Sequence, residues 1–240
     1  MINGYYNEFD FINNLNNKFV FQLENRFIVF LKKLYDFSIN SNDYVKCYKT
    51  FKTDKADLVI VINNIKKYVS IKSGKNNSVH LETISDFITF LKENSISEDV
   101  IEIYKDYHYA HDQNENRLSA KEYQENNQRV IEKFNNAINQ KEILLKAIDR
   151  FLFKGIYYYN HDVDMFVYGN VKNFSYLTKK QIVNFLINNN EKFNSIHFSL
   201  LVLQPWTRNL NNNPKYEYRR HYVQVKWYRL EEIIEKIIKF

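Results

Sequence analysis

A carboxylate and a lysine flank a strand–turn–strand pattern in the first third of the chain. Apolar, mostly β-branched residues at 58–62 and 68–71 predict two strands, and the polar stretch 63–66 predicts the turn between them. Asp57 precedes the first strand, and Lys72 follows the second. We therefore expect an acid and an ammonium group at the open end of a β-hairpin.

The pairing across this hairpin decides which side chains meet. If Ile62 faces Lys67 across the turn, then Asp57 lies opposite Lys72. Alternate residues of a strand share a face, so Ser70 lies on the same face as Lys72. An acid, a hydroxyl and a lysine at the rim of an apolar hairpin indicate a site for a hard cation and a phosphate.

Asp57 and the run Ser70-Ile71-Lys72 resemble the signature of the PD-(D/E)xK nuclease superfamily. In that superfamily an acid on one strand and an acid-x-Lys on the next bind Mg²⁺ and activate water. The chain departs from the pattern at Ala56, where the superfamily has Pro, and at Ser70, where it has a second acid. The resemblance implies an α/β (α+β) fold, a restriction-endonuclease-like mixed sheet flanked by helices.

Two glutamates are candidates for the missing second carboxylate, and the sequence leaves the choice open. Restriction enzymes of this superfamily with Ser-x-Lys take that carboxylate from the following helix, where this chain has Glu82. Glu24 falls in a predicted first helix, on the same face as Val20, Ile28 and Leu31. A carboxylate on an apolar face is costly unless it is paired or binds a metal.

Each candidate also has an ordinary structural interpretation. Asp57 and Lys72 can form a surface ion pair, and Ser70 can be a small residue on a packed face. Glu82 can belong to the acidic first turn of a helix, and Glu24 can extend from a helix edge into solvent. The order and spacing of the four candidates other than Ser70 favour the nuclease interpretation.

Composition narrows the class of protein. The formal charge of +6 favours a polyanionic partner. Only four glycines and two prolines are present, which argues against a glycine-rich phosphate loop. The single cysteine, Cys47, excludes an intrachain disulfide. No signal peptide and no membrane-spanning apolar run is found, so we expect a cytoplasmic protein with no membrane partner.

The chain divides by pattern into three parts. Residues 1–95 are predicted to form the first part of the nuclease core, with a helix over 10–37 and another over 81–92. Residues 96–150 are predicted to be a helical insertion or a dimer arm. Residues 151–240 are predicted to be an α+β part that contacts DNA and contains a β-hairpin layer.

Two polar loops and a basic strand offer contacts to DNA. The loop at 73–78 has small side chains that admit a phosphate, and the long loop at 204–215 is rich in amides and cations. An ordinary solvated hairpin explains the second region equally well. The DNA-contact candidates are Ser73, Lys75, Asn77, Trp206, Arg208, Lys215, Arg219 and Arg220.

These expectations combine into a Mg²⁺-dependent endonuclease of the type II restriction kind, with Mn²⁺ as a possible substitute. Asp57 and Glu82 would ligate the metal with Glu24 as a helper, and Lys72 would orient or deprotonate the attacking water. Cleavage of palindromic double-stranded DNA implies a homodimer. The alternatives are a junction resolvase or repair nuclease, or a non-catalytic nucleic-acid-binding protein with a degenerate fold, which Ser70 favours.

Overall fold

The computed structural model describes residues 4–51, 54–73, 78–110, 118, 120–157, 161–189, 191–205 and 214–239. The helices of this part are α1 Gly4–Leu15, α2 Asn25–Leu34, α3 Ile84–Glu93, α4 Glu98–Tyr109, α5 Ala120–Asn126, α6 Gln128–Ile138, α7 Lys141–Ile148, α8 Lys179–Ile187 and α9 Leu230–Lys239. The strands are β1 Lys18–Phe19, β2 Tyr44–Lys49, β3 Leu58–Ile62, β4 Ile65–Lys72, β5 Ser78–Thr83, β6 Met165–Asn170, β7 Asn173–Thr178, β8 His197–Phe198, β9 Leu201–Pro205 and β10 Tyr222–Trp227.

The chain forms two compact units, and each unit combines segments that are distant in sequence, whereas the sequence predicts three consecutive parts. The first unit comprises Met1–Asn77, Leu152–Phe185 and Arg229–Phe240, and the second comprises Ser78–Phe151 and Leu186–Tyr228. The predicted mixed α/β fold class is confirmed. No helix in the described part is long and apolar enough to cross a membrane.

The first unit contains a six-stranded mixed sheet in the order β1-β2-β3-β4-β6-β7. Its neighbouring strands are antiparallel except β4 and β6, which are parallel. One face of the sheet packs against α1 and α2, because alternate residues of the strands are apolar and face these helices. This core includes Phe11, Leu31, Val45, Ile60 and Val167, each at most 1% exposed.

The hairpin of β3 and β4 turns through two residues, so the predicted four-residue turn is wrong. Asn63 and Asn64 have φ of 51° and 63°, the left-handed pair of a type I′ turn. Ile62 therefore pairs with Ile65 and not with Lys67. The register moves by two residues, so every side chain stays on its predicted face.

The second unit contains an antiparallel sheet in the order β5-β10-β9-β8. The sequence predicts paired strands over 196–203 and 218–228, and the observed pair is β9 with β10, which begin later, at Leu201 and Tyr222. The predicted helix over 81–92 is partly wrong, because residues 78–83 form β5 and α3 begins only after Thr83. The Thr83 hydroxyl accepts a hydrogen bond from the Asp86 N–H and caps the helix there.

Candidate functional site

Asp57 and Lys72 lie close together at the end of the β3–β4 hairpin. Their predicted direct pairing is wrong, because the observed register continues to Asp57 opposite Ser70. The Lys72 Nζ is 3.6 Å from the Asp57 Oδ2. The same carboxylate oxygen accepts hydrogen bonds from the Ser70 Oγ at 3.0 Å and from the Ile71 N–H at 2.6 Å. Three residues of one strand thus fix the orientation of the Asp57 carboxylate.

The contacts use only one of the two carboxylate oxygens. Within the described residues, the Asp57 Oδ1 accepts no hydrogen bond. The side chains of Asp57 and Lys72 are each 22% exposed, whereas Ser70 is 1% exposed. The site therefore offers a positioned carboxylate oxygen and an ammonium group to a ligand at the protein surface.

The parallel strand β6 adds a tyrosine to this site. Tyr168 pairs with Lys72 in the β4–β6 ladder, so the two side chains project from the same face. The Tyr168 hydroxyl donates a hydrogen bond to the Glu231 carboxylate at the start of α9. Burial raises the pKa of Tyr168, and the charge and hydrogen bond of Glu231 raise it further.

Sequence reasoning did not find Tyr168 and Glu231. Both are distant from Asp57 in the chain, and no motif connects them with the Ser70-Ile71-Lys72 run. The one available signal was the pattern of residues 163–168, which predicts a strand, because a strand in an α/β core must pair with some neighbour.

Ser73 is half-buried directly after β4, and its contact with DNA stays a prediction. Lys75 and Asn77, the other candidates of this loop, lie outside the described residues.

Glu82 lies in β5, and its predicted place in a helix is wrong. Its carboxylate is fully buried in the second unit, where the Arg150 Nε and Nη2 donate to Oε2 at 3.0 and 2.5 Å. The His80 Nε2 is 3.6 Å from the other oxygen, Oε1. Arg150 thus already provides the compensation that a buried carboxylate requires. A role of Glu82 as a metal ligand stays a prediction.

Glu24 does not lie on an apolar helix face, so that prediction is wrong. The predicted helix over 10–37 is divided into α1 and α2, and Glu24 is the N-cap residue of α2. Its side chain is 58% exposed and accepts a hydrogen bond from the Arg26 Nε at 2.9 Å. Its role as a helper in metal binding stays a prediction.

The basic residues of the carboxy-terminal part are described only in part. Arg219 and Arg220 are half-buried in a 3₁₀ helix, Pro214–His221, and not in the strand that the pattern of residues 218–228 predicts. The Arg219 guanidinium carbon lies 5.4 Å from the centre of the Tyr218 ring. Lys215 belongs to the same 3₁₀ helix, and Trp206 and Arg208 lie outside the described residues.

Neither a search for clusters of metal ligands nor comparison with known proteins assigns a function to this site. Over the residues that the structure describes, no group of three or more His, Cys, Asp or Glu side chains is arranged to hold a metal. No protein-family model matches the chain, and a search of curated proteins also finds no match.

Proposed function

We propose that this chain is a Mg²⁺-dependent endonuclease that hydrolyses phosphodiester bonds in double-stranded DNA, with Mn²⁺ as a possible substitute. We further propose the type II restriction kind, acting in the cytoplasm as a homodimer. One observation supports the proposal above all others. The Asp57 carboxylate and the Lys72 ammonium are 3.6 Å apart at the accessible end of a central hairpin.

The donor set at Asp57 suits a weakly held hard cation. Mg²⁺ is commonly bound by one or two carboxylates, with water and substrate phosphate as the other ligands. The orientation of Asp57 leaves Oδ1 for such an ion, because Oδ2 already contacts Ser70, Ile71 and Lys72. When bound, Mg²⁺ would lower the pKa of a coordinated water and stabilise charge on the phosphate.

Lys72 has two tasks in this proposal. Its ammonium group donates hydrogen bonds to the scissile phosphate and so stabilises the negative charge that develops during attack. It also orients the attacking water, because Asp57 fixes the position of Nζ. Tyr168 lies beside Lys72 in the ladder.

A second candidate function is nucleic-acid binding without cleavage on a degenerate nuclease fold. Ser70 favours this function. Its hydroxyl donates a hydrogen bond to Asp57, whereas the superfamily that this chain resembles has a second carboxylate at that position. Glu82, which would replace that carboxylate, is bound by Arg150. A junction resolvase or repair nuclease remains the alternative within the same chemistry.

The test of the proposed function is cleavage of supercoiled plasmid, linear duplex and four-way junction DNA with Mg²⁺. We expect Asp57→Asn and Lys72→Ala each to reduce the rate by about 100-fold or more. Asp10→Asn is the matched control, since Asp10 is an exposed acid of α1. Far-UV circular dichroism and thermal melting establish that each variant folds.

Three results distinguish the candidate functions. Loss of cleavage with EDTA and in both site variants, but not in Asp10→Asn, supports the nuclease. Cleavage of the four-way junction alone would identify the protein as a junction resolvase and not a restriction enzyme. DNA binding without cleavage of any substrate would favour the non-catalytic binder.

A further inference from the structure

The face of the six-stranded sheet that carries the Asp57–Lys72 site also carries a row of lysines. Lys46 of β2 pairs with Val61 of β3, which pairs with Lys66 of β4. Paired residues project from the same face, so both lysines project from this one. Both are exposed, and neither forms an ion pair in the part of the chain that the structure describes.

The next row toward the site is aromatic. Tyr48 pairs with Val59, and Val59 pairs with Tyr68. Tyr48 is 45% exposed. The Tyr68 ring stacks on the His161 ring, with centroids 4.3 Å apart and an angle of 16° between the planes. Two tyrosines and a histidine therefore border the sheet between the lysine row and the site.

The two rows and the site follow one another along β4. Lys66, Tyr68, Ser70 and Lys72 are alternate residues of this strand and share a face. Alternate residues are about 7 Å apart along a strand. The face thus presents cations, then aromatic rings, and then the carboxylate bound by Ser70, in one direction. We call Lys46, Lys66, Tyr48, Tyr68 and His161 the basic–aromatic face.

The positive charges of this face are suited to a polyanionic ligand, and its aromatic side chains are suited to unpaired bases. Burial raises the pKa of Tyr68, with smaller contributions from Tyr48, Asp54 and Asp164, so its phenol is uncharged at neutral pH. The Lys67 Nζ lies 3.1 Å from the Asp164 Oδ1 and offsets that acid. The lysine row remains available for phosphates.

We infer that the basic–aromatic face binds a single-stranded stretch of nucleic acid that adjoins the duplex to be cut at Asp57. Lysines contact the backbone phosphates, while unpaired bases stack on Tyr48 and His161. A duplex stacks its bases on each other, so it cannot use the aromatic row in this way. This inference adds a binding surface to the proposed nuclease. Binding at the face does not depend on the proposed function, but cleavage of the bound nucleic acid does.

A second copy of the chain is a poorer occupant of the same face. A twofold interface brings the same patch of both subunits together. Lys46 and Lys66 would then lie near the same lysines of the other copy, and like charges repel. Nucleic acid instead supplies the opposite charge.

The test is binding of labelled single-stranded oligonucleotides and matched duplexes in EDTA, followed by fluorescence anisotropy. We expect Tyr48→Ala to weaken single-strand binding by about 5- to 150-fold, the range for one stacked base. We expect Lys46→Ala and Lys66→Ala each to reduce the slope of log affinity against log salt by about 0.7. Tyr6→Ala and Lys33→Ala are matched controls from α1 and α2, where both residues are exposed.

Several outcomes would overturn the inference. One is absence of single-strand binding by the unmodified protein, and another is equal weakening of single-strand and duplex binding by Tyr48→Ala. A dimer that dissociates in Tyr48→Ala during sedimentation would identify the face as a self-interface. Because binding is measured in EDTA, its presence without cleavage in Mg²⁺ would refute the nuclease and leave this inference intact.

Discussion

At the residue level, Glu82 shows how a buried charge is accommodated in this protein. Its side chain is fully buried, and its Oε2 accepts two hydrogen bonds from Arg150. The guanidinium also lies 5.3 Å from the centre of the Phe90 ring. Removal of one partner from such a pair leaves an uncompensated charge in a low-dielectric interior, whereas removal of both does not.

We therefore expect Arg150→Met to lower the free energy of unfolding by about 3–5 kcal/mol. The double variant Glu82→Leu, Arg150→Met should recover most of this loss, because no charge remains buried. Urea unfolding of the two variants and the unmodified protein measures both effects. A double variant as unstable as Arg150→Met would show that the loss comes from packing and not from charge.

The strand ends that carry Asp57 and Lys72 could be predicted from sequence, although the register between them could not. The position of Glu24 could not be predicted. The first two residues lie at the ends of two strands that are joined by a short turn, so local pairing brings them together. Glu24 matches the spacing of a helical face, but the helix begins after it. The periodicity of apolar residues does not determine where a helix begins. Glu24 lies at the N-cap position, so it is not part of the helical face.

At the level of elements, the β3–β4 turn determines the register of the central hairpin. Asn63 and Asn64 both have positive φ, a conformation that Asn tolerates and Gly adopts without strain. The sequence predicts two strands here correctly. It does not determine the register, because Asn-Asn-Ile-Lys also permits a four-residue turn.

Substitutions in the turn test this geometry. We expect Asn64→Gly to leave the free energy of unfolding unchanged or to raise it slightly. Asn64→Ala should lower it by about 1 kcal/mol, because an alanine Cβ is strained in the left-handed region. Chemical denaturation compares the two variants, with Asn42→Ala as a control at an exposed position outside the turn. Equal effects of Gly and Ala at residue 64 would contradict the type I′ turn.

At the level of the whole molecule, the sheet of the first unit depends on pairs that are distant in sequence. Residues 69–72 of β4 pair with 165–168 of β6, which places Tyr168 beside Lys72. Such pairing depends on the packing of the complete fold, so the pattern of one segment does not contain it. The local hairpin was therefore predictable, whereas the residues that β6 and α9 add to the site were not.

The second unit should lose stability in mild acid because of His197. Its Nδ1 donates to the Ser199 carbonyl at 2.7 Å, and burial lowers its pKa below the usual 6.5 despite this bond. The unfolded chain consequently binds more protons than the folded one when the pH lies between the lowered pKa and 6.5. The contribution of His197 to stability is thus complete above pH 6.5 and decreases as the pH falls toward the lowered pKa.

Trp227 provides the measurement, because it is fully buried in the same unit and is one of only two tryptophans. In a Trp206→Phe background, we expect urea unfolding followed by Trp227 emission to show a free energy that falls between pH 6.5 and 5. In His197→Asn, whose amide can still donate to the Ser199 carbonyl, that pH dependence should be weaker even if the protein is less stable at pH 7. Equal pH dependence in both proteins would assign the effect to other groups. A weaker dependence in the variant would show that a single buried imidazole makes the second unit sensitive to pH, since the two proteins differ only at residue 197.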